Sequence, residues 1–202
     1  AYRPVAMATL ATHDTSSLLG WWHHEAGTVD TGLFERACRQ AGVDFNAVAP
    51  QLFDLERTRH GRLWWRAHMT ADLFRSVIGK SDREAWNAWD LMRSSLRERE
   101  QFLRMIQCPP GTDLASPNMF MKKALGRVNA SACIFASLLF QDWLAVDTFF
   151  DFDPWESRIN FPGTTDPQNW TLRIPLPLED IVEMPANAVI RAITETHRRL
   201  VG

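Results

Sequence analysis

Two residues capable of acid–base and hydrogen-bonding chemistry, His13 and Asp14, directly follow an apolar segment near the start of the chain. Residues 5–11 are small, apolar or β-tolerant and carry no charge, which favours a buried strand. If that strand is parallel, His13 and Asp14 lie just past its carboxyl end, where ligands bind in α/β proteins. The alternative is that Asp14 or Ser16 caps the next helix, because both residue types are favoured there. The local pattern by itself favours the cap.

A second pair of polar residues, Gln141 and Asp142, follows another apolar and uncharged segment. By periodicity, that segment (residues 130–140) is either a strand or a buried helix. Residues 158–170 then form a loop that contains proline and glycine, and such loops can lie over an active site.

Tryptophan is unusually frequent, with nine residues against a single tyrosine. Flat aromatic faces stack on sugar rings, so carbohydrate binding is one explanation. Core packing is the commoner use, because each ring buries a large apolar area. We expect most of the nine to be structural, with Trp170 and Trp22 as the exceptions.

Hydrophobic periodicity predicts that helices occupy most of the chain between these segments. Asp30 is placed to cap a short helix, and residues 63–78 have the pattern of a longer amphipathic helix that Gly79 ends. Ser81 and Glu84 fit a capping box at the start of another helix. Two further helices are predicted, at residues 116–127 and 186–200. The fold class is therefore mostly α with a few short strands.

Composition excludes several classes of protein. The net charge of −2 gives no reason to expect a nucleic-acid partner. No apolar run reaches the roughly 18 residues that a membrane span requires. The three cysteines, Cys38, Cys108 and Cys133, do not have metal-site spacing, and we expect free thiols in a reducing cytoplasm. No metal site is predicted.

Two sequence blocks resemble the 4-α-glucanotransferases, also called amylomaltases or disproportionating enzymes. Ala-Thr-His-Asp at residues 11–14 and Leu-Leu-Gly-Trp-Trp at 18–22 are similar to the signature of the family's seventh strand. The second block consists of Gln-Asp-Trp-Leu at 141–144, Arg-Ile-Asn-Phe-Pro-Gly-Thr at 158–164 and Asn-Trp-Thr-Leu-Arg at 169–173. Two motifs in the right order are more specific than either alone. Because of this resemblance, a functional role for Asp14 is now favoured over the role of a helix cap, which the local pattern had favoured.

The resemblance implies a fold, namely the carboxyl-terminal part of a (β/α)8 (TIM) barrel glycoside-transferase domain. Residues 1–26 would be the seventh βα unit and 129–202 the eighth unit with a terminal helix. Residues 27–128 would be a large helical insertion between the seventh and eighth strands. Because the chain runs almost at once into a buried strand, we expect it to be a fragment of a longer protein. Its two parallel strands would have exposed barrel edges that promote self-association.

The resemblance also implies a catalytic role for Asp14. Retaining cleavage of a glycosidic bond uses a nucleophile and an acid/base about 5 Å apart. The family adds a third carboxylate, the aspartate of the seventh-strand His-Asp pair, which Asp14 matches. His13 matches the residue that hydrogen-bonds the sugar in the cleavage subsite. We find no match for the nucleophile or the acid/base, and we expect both upstream of residue 1.

The second block supplies the remaining candidates for substrate binding, which are Gln141, Asp142, Asn160 and Trp170, while Arg158 is expected to pin the loop through backbone carbonyls. The implied substrates are α-1,4-glucans and maltooligosaccharides, and no cofactor is implied. A second hypothesis is a non-catalytic helical module that binds carbohydrate or another partner. It predicts binding without turnover even when the upstream region is restored.

Overall fold

The computed structural model describes residues 5–108, 117–146 and 153–196 of the chain. The described chain is mostly helical with a few short strands, as predicted. In chain order the elements are β1 (Met7–Ala8), α1 (Leu18–Gly20), a π-helical segment (Trp21–Glu25), β2 (Thr28–Asp30), α2 (Thr31–Gln40), α3 (Phe45–Leu52), β3 (Phe53–Arg59), β4 (Arg62–Trp65), α4 (Ala71–Ile78), α5 (Trp86–Met105), α6 (Pro117–Asn129), β5 (Phe135–Ala136), α7 (Phe140–Leu144), α8 (Leu178–Val182) and α9 (Ala186–Thr196).

The chain divides into two compact units. The first consists of Ala1–His23 together with Leu103–Gly202, and the second is His24–Phe102. Both candidate sequence blocks belong to the first unit.

The second unit contains an antiparallel sheet of three strands in the order β2-β4-β3, which the sequence reading missed. The helix predicted at residues 63–78 is wrong in its first half, because β4 occupies that part and α4 begins only at Ala71. Leu63 and Trp65 are buried in β4 while Trp64 between them is half-buried, which is the period of a strand. Leu63, Trp64 and Trp65 are adjacent apolar residues, and such a run fits the period of a helix as well as that of a strand. The segment is a strand because β4 pairs with both β2 and β3.

Several local predictions in the second unit are confirmed. The Asp30 carboxylate accepts a hydrogen bond from the Leu33 amide at 2.8 Å and caps α2. The capping box is present, since the Ser81 amide donates to Glu84 at 3.0 Å and the Glu84 amide donates back at 3.4 Å. The core of this unit is apolar, and its fully buried aromatic members include Phe34, Phe53 and Phe74.

The first unit contains the parallel strand pair. β1 pairs with β5 in the register Met7 to Phe135 and Ala8 to Ala136, so the two apolar segments are neighbouring parallel strands. Each strand has only two residues, and the prediction of long buried strands at residues 5–11 and 130–140 is wrong. Ala8 is buried, but Met7 and Phe135 are 60% and 65% exposed. Within the described chain, no third strand pairs with either of them.

The first unit also contains packed helices. α9 packs against α6 and α7, which confirms helices in the segments predicted at residues 116–127 and 186–200 as far as the structure describes them. α7 begins at Phe140, so Gln141 and Asp142 lie in its first turn rather than at the end of a strand. No helix among the described residues is long and apolar enough to cross a membrane.

Candidate active site

His13 and Asp14 stand on a tight turn between β1 and α1. The Thr15 amide donates to the Thr12 carbonyl at 3.0 Å, and the Thr12 amide donates to the Thr15 hydroxyl at 2.9 Å. These bonds close the turn, and the two intervening side chains point outward, with about half of each exposed. His13 Nε2 lies 3.3 Å from Asp14 Oδ2. The turn therefore presents an imidazole and a carboxylate side by side at the surface.

Asn160 joins this turn from the second sequence block. Its Nδ2 donates to Asp14 Oδ1 at 2.7 Å, across 146 positions of sequence. The bond uses one carboxylate oxygen, while the other faces His13. Asp14 is thus oriented from both sides, and an oriented carboxylate can accept hydrogen bonds from hydroxyl groups.

Trp170 completes the group. Its ring centroid lies 5.2 Å from that of His13 at an interplanar angle of 39°, and 64% of the residue is exposed. The backbone there is left-handed, with φ of 63°, and its amide donates to the Ile159 carbonyl at 2.8 Å. A left-handed conformation is unfavourable for a bulky residue, and such strain is often found at functional sites. The geometry holds an aromatic ring beside the histidine at the surface.

Arg158 ties the turn to the loop that carries Asn160. Its Nη2 donates to the Asp14 carbonyl at 3.3 Å, and its Nε donates to the Asn160 carbonyl at 3.1 Å. Its Nη1 donates to the Ser16 hydroxyl at 2.9 Å, and the guanidinium lies 4.8 Å from the centre of the Phe161 ring. Arg158 thus pins the loop through backbone carbonyls, as the sequence analysis predicted.

Gln141 and Asp142 do not share this surface, because both are buried. Gln141 Nε2 donates to the Ser157 carbonyl at 3.3 Å, and Asp142 Oδ1 accepts from the Leu18 amide at 2.8 Å. Burial raises the pKa of Asp142 to about 6, and the Leu18 hydrogen bond acts in the opposite direction. The two residues therefore contact the elements beneath the exposed group.

Small residues beneath the site were missed by the sequence reading. Ser17, rather than Asp14 or Ser16, is the N-cap of α1, and its hydroxyl accepts from the Gly20 amide at 3.2 Å. The Ser17 and Ser157 hydroxyls are 3.3 Å apart. A Cβ added at Gly20 would lie 2.8 Å from the Pro154 carbonyl oxygen, so the helix and the loop approach closely. Ser-Ser before an apolar helix was the only available signal for this packing.

Trp22 was expected to be one of the tryptophans that do not serve core packing, but its position in the structure differs from this expectation. Its ring packs on Phe120 at 4.7 Å and lies 6.0 Å from that of Trp21, and the residue is only partly exposed. It therefore belongs with the packing of the first unit rather than with the exposed group around His13. In the part of the chain that the structure describes, no three His, Cys, Asp or Glu residues form a group that could hold a metal ion.

The arrangement suits recognition of a polyhydroxylated molecule. Asp14 supplies a fixed anionic acceptor and His13 an adjacent polar ring, while Trp170 adds an apolar face. Because a carboxylate placed beside developing positive charge stabilises it, the same group can act electrostatically in a transition state.

Comparison with known proteins gives a family match. A sequence model of the family described as 4-alpha-glucanotransferase matches residues 1–178. No curated protein and no solved structure gave a significant match. The matched range includes the turn, the loop and Trp170, together with the buried pair beneath them.

Proposed function

This chain belongs to the 4-alpha-glucanotransferase family, whose members act on α-glucans, and we propose that it holds the third carboxylate of their retaining transfer reaction. The observation that carries the proposal is the hydrogen bond between Asn160 and Asp14, with His13 and Trp170 alongside. It joins the two sequence blocks on which the resemblance depends. The substrates we propose are α-1,4-glucans and maltooligosaccharides.

In this proposal Asp14 is the catalytic residue of the chain. Its carboxylate accepts hydrogen bonds from the hydroxyls of the distorted sugar and stabilises the positive charge of the oxocarbenium-like transition state. Asn160 holds one carboxylate oxygen, so little reorganisation is needed during the reaction. Because the charge develops only as the bond breaks, the interaction lowers the barrier more than it tightens substrate binding.

His13 and Trp170 are the proposed sugar contacts beside Asp14. The imidazole hydrogen-bonds a hydroxyl of the sugar in the cleavage subsite, and the indole provides a face for a neighbouring ring. Gln141 and Asp142 shape the site from below, since their burial leaves them little surface for a sugar.

The nucleophile and the acid/base are assigned to sequence outside these 202 residues, because the chain contains no match for either motif. The nucleophile carboxylate displaces the leaving oxygen, which the acid/base protonates. The acid/base then deprotonates the hydroxyl of the acceptor sugar, and this hydroxyl attacks the glycosyl-enzyme intermediate. The chain by itself is accordingly proposed to be inactive.

The parallel pair supports the assignment of the chain to a (β/α)8 barrel. β1 and β5 are proposed to be its seventh and eighth strands, within units 1–26 and 129–202, and residues 27–128 are the insertion between them. The exposed faces of the two strands are the proposed surface for self-association. The three buried, unbridged cysteines favour a cytoplasmic location, and no cofactor is proposed.

A non-catalytic carbohydrate-binding module is the second candidate. The exposed ring of Trp170 beside His13 favours it, because that arrangement could bind a sugar without any reaction. The two candidates differ in turnover once the upstream sequence is restored. Transfer of glucosyl units between maltooligosaccharides is expected of the first candidate only.

The proposal is tested by binding of two ligands to Asp14→Asn. We expect this variant to bind maltoheptaose a few times more weakly, and to bind a maltooligosaccharide analogue with a protonated amine at the cleaved position at least about tenfold more weakly. The control is Asp90→Asn, which removes an exposed carboxylate of α5. Isothermal titration calorimetry measures the affinity for each ligand.

Equal losses of affinity for the two ligands would contradict charge stabilisation by Asp14. Glucose release from maltotriose by the chain alone would contradict the proposal that the nucleophile is missing from it.

A further inference from the structure

Asp142 is the buried carboxylate whose position packing alone does not explain. It lies in the first turn of α7 and is 1% exposed. Its Oδ1 accepts from the Leu18 amide at 2.8 Å, while its Oδ2 has no hydrogen-bond partner among the described residues. A buried polar atom without a partner costs free energy, and a carboxylate costs more than a neutral group.

The cost of this arrangement corresponds to a raised pKa of the Asp142 carboxyl. Burial raises the pKa of Asp142 from its ordinary value of 3.8 to about 6, although the Leu18 hydrogen bond opposes the rise. At neutral pH the buried group is therefore ionised at a cost in stability. An amide of the same shape would keep the accepting oxygen without the charge.

The contact at Leu18 has a structural consequence for the exposed group above it. The first amides of a helix have no partners within the helix, and side chains are one of the ways in which they are satisfied. At α1 Ser17 accepts from the Gly20 amide and Asp142 accepts from the Leu18 amide. Because α1 begins four residues after Asp14, these two bonds fix the point where the turn joins the helix.

The same short segment is held from the other side by the loop. The Ser16 hydroxyl, two positions before Leu18, accepts from Arg158, which also donates to the backbone of Asp14 and Asn160. An unbroken series of hydrogen bonds and short backbone links therefore runs from the buried carboxylate to the exposed one.

We propose that Asp142 is a positioning residue for the His13–Asp14 turn, acting through its hydrogen bond to the Leu18 amide at the start of α1. The inference rests on the proposed function, because it assumes that this turn binds glucan. It assigns to Asp142 an effect on glucan affinity without contact with the glucan.

Two substitutions of Asp142 separate this role from a merely structural one. Asp142→Asn keeps an oxygen that can accept from Leu18, whereas Asp142→Leu has the same branched outline, is larger and has no acceptor. We expect Asp142→Asn to bind maltoheptaose within about twofold of the wild type and Asp142→Leu to bind at least about tenfold more weakly at an equal folded fraction. Calorimetry measures affinity, and circular dichroism with urea unfolding measures the folded fraction.

The outcomes distinguish the two proposals. If the wild type does not bind maltoheptaose, the proposed function of this chain is contradicted. The positioning role, which depends on that function, is then contradicted as well. If the wild type binds and a folded Asp142→Leu binds equally well, the positioning role alone is overturned. Equal weakening by Asn and Leu also overturns it, because rescue by the acceptor is then absent.

Hydrogen exchange gives a second measurement if Asp142→Leu does not fold. The Leu18 amide is expected to be protected in the wild type and in Asp142→Asn, because both supply the acceptor. Exchange of this amide at the unprotected rate in the folded wild type would overturn the proposal.

Discussion

At the scale of single residues, Trp170 combines a left-handed backbone with an exposed ring. Its φ of 63° is a conformation that glycine adopts freely and that side-chain-bearing residues adopt at a cost of about 1 kcal/mol. The residue is 64% exposed, so its burial does little to offset that cost. The position therefore contributes little to stability, which agrees with a role in binding.

Two substitutions at Trp170 separate the backbone from the ring. Trp170→Gly should be more stable to urea than Trp170→Ala by about 1 kcal/mol, because glycine relieves the left-handed strain. Both should bind maltoheptaose about tenfold more weakly than the wild type, because both lack the aromatic face. Trp86→Ala, which removes a 55% exposed tryptophan from α5, is the matched control and should leave affinity unchanged. Equal losses from Trp86 and Trp170 would contradict a specific site.

Asp142 makes stability depend on pH in a predictable direction. Its pKa is raised to about 6 in the folded chain, so between pH 4 and pH 6 the folded state holds more protons than the unfolded state. Its contribution to stability therefore falls as pH rises through this window and stays low above pH 6. A rise from 3.8 to about 6 corresponds to about 3 kcal/mol, since one pKa unit is about 1.4 kcal/mol.

Asp142→Asn isolates this contribution. Relative to the wild type, the variant should gain stability steadily from pH 4 to pH 6 and keep that gain at pH 7. Urea unfolding at several pH values measures the difference in the free energy of unfolding between the variant and the wild type. The contributions of the other titrating groups cancel in this difference. A difference that does not change with pH would show that Asp142 has an ordinary pKa.

At the scale of elements, the hairpin between β3 and β4 depends on its two-residue turn. His60 and Gly61 both have positive φ, at 54° and 69°, which is the twist that joins antiparallel strands most readily. Sequence reading missed this hairpin because His-Gly is a weaker turn signal than Asn-Gly, and because adjacent apolar residues in β4 also fit a helix. Strand pairing is a non-local interaction that a window of sequence does not contain.

A pair of glycine substitutions tests the turn. Gly61→Ala should lower the free energy of unfolding by about 1 kcal/mol, because alanine disfavours the left-handed region although space is free around the position. Gly32→Ala, in the first turn of α2 where φ is not positive, should be neutral or stabilising by up to about 1 kcal/mol. Thermal and urea unfolding measure both. Destabilisation of equal size at both positions would show that backbone conformation is not the cause.

At the scale of the whole molecule, apolar side chains on the parallel pair and next to it are uncovered. Val5 and Met7 are 89% and 60% exposed, and Ile134 and Phe135 are 61% and 65% exposed. Clusters of exposed apolar residues on strands promote association. We therefore predict that the chain associates with itself through this surface.

Light scattering as a function of concentration tests the association. Phe135→Ser should shift the chain towards monomer, because it removes a large exposed ring from the surface. Leu178→Ser, which removes a 73% exposed leucine of α8, is the control and should not shift it. A wild-type monomer at high concentration would contradict the prediction.

The sequence by itself determined that the chain is mostly helical, the Asp30 cap, the Ser81–Glu84 capping box and the family. Asp30, Ser81 and Glu84 act within one turn of chain, so their roles could be read from spacing. The pairing of His13 and Asp14 with the second block also followed from sequence, through the resemblance of both blocks to one family.

Only the tertiary structure decided which candidates face solvent and which lie beneath them. Asn160 and Trp170 meet the His13–Asp14 turn, whereas Gln141 and Asp142 turn inward onto the loop and α1. It also decided that Ser17 is the N-cap of α1. The Asp14 carboxylate is therefore not used as a cap and accepts a hydrogen bond from Asn160 instead. The physical reason is that exposure and hydrogen-bond partners depend on contacts between segments that are distant in sequence, such as Asp14 with Asn160 and Asp142 with Leu18, and no local pattern encodes them.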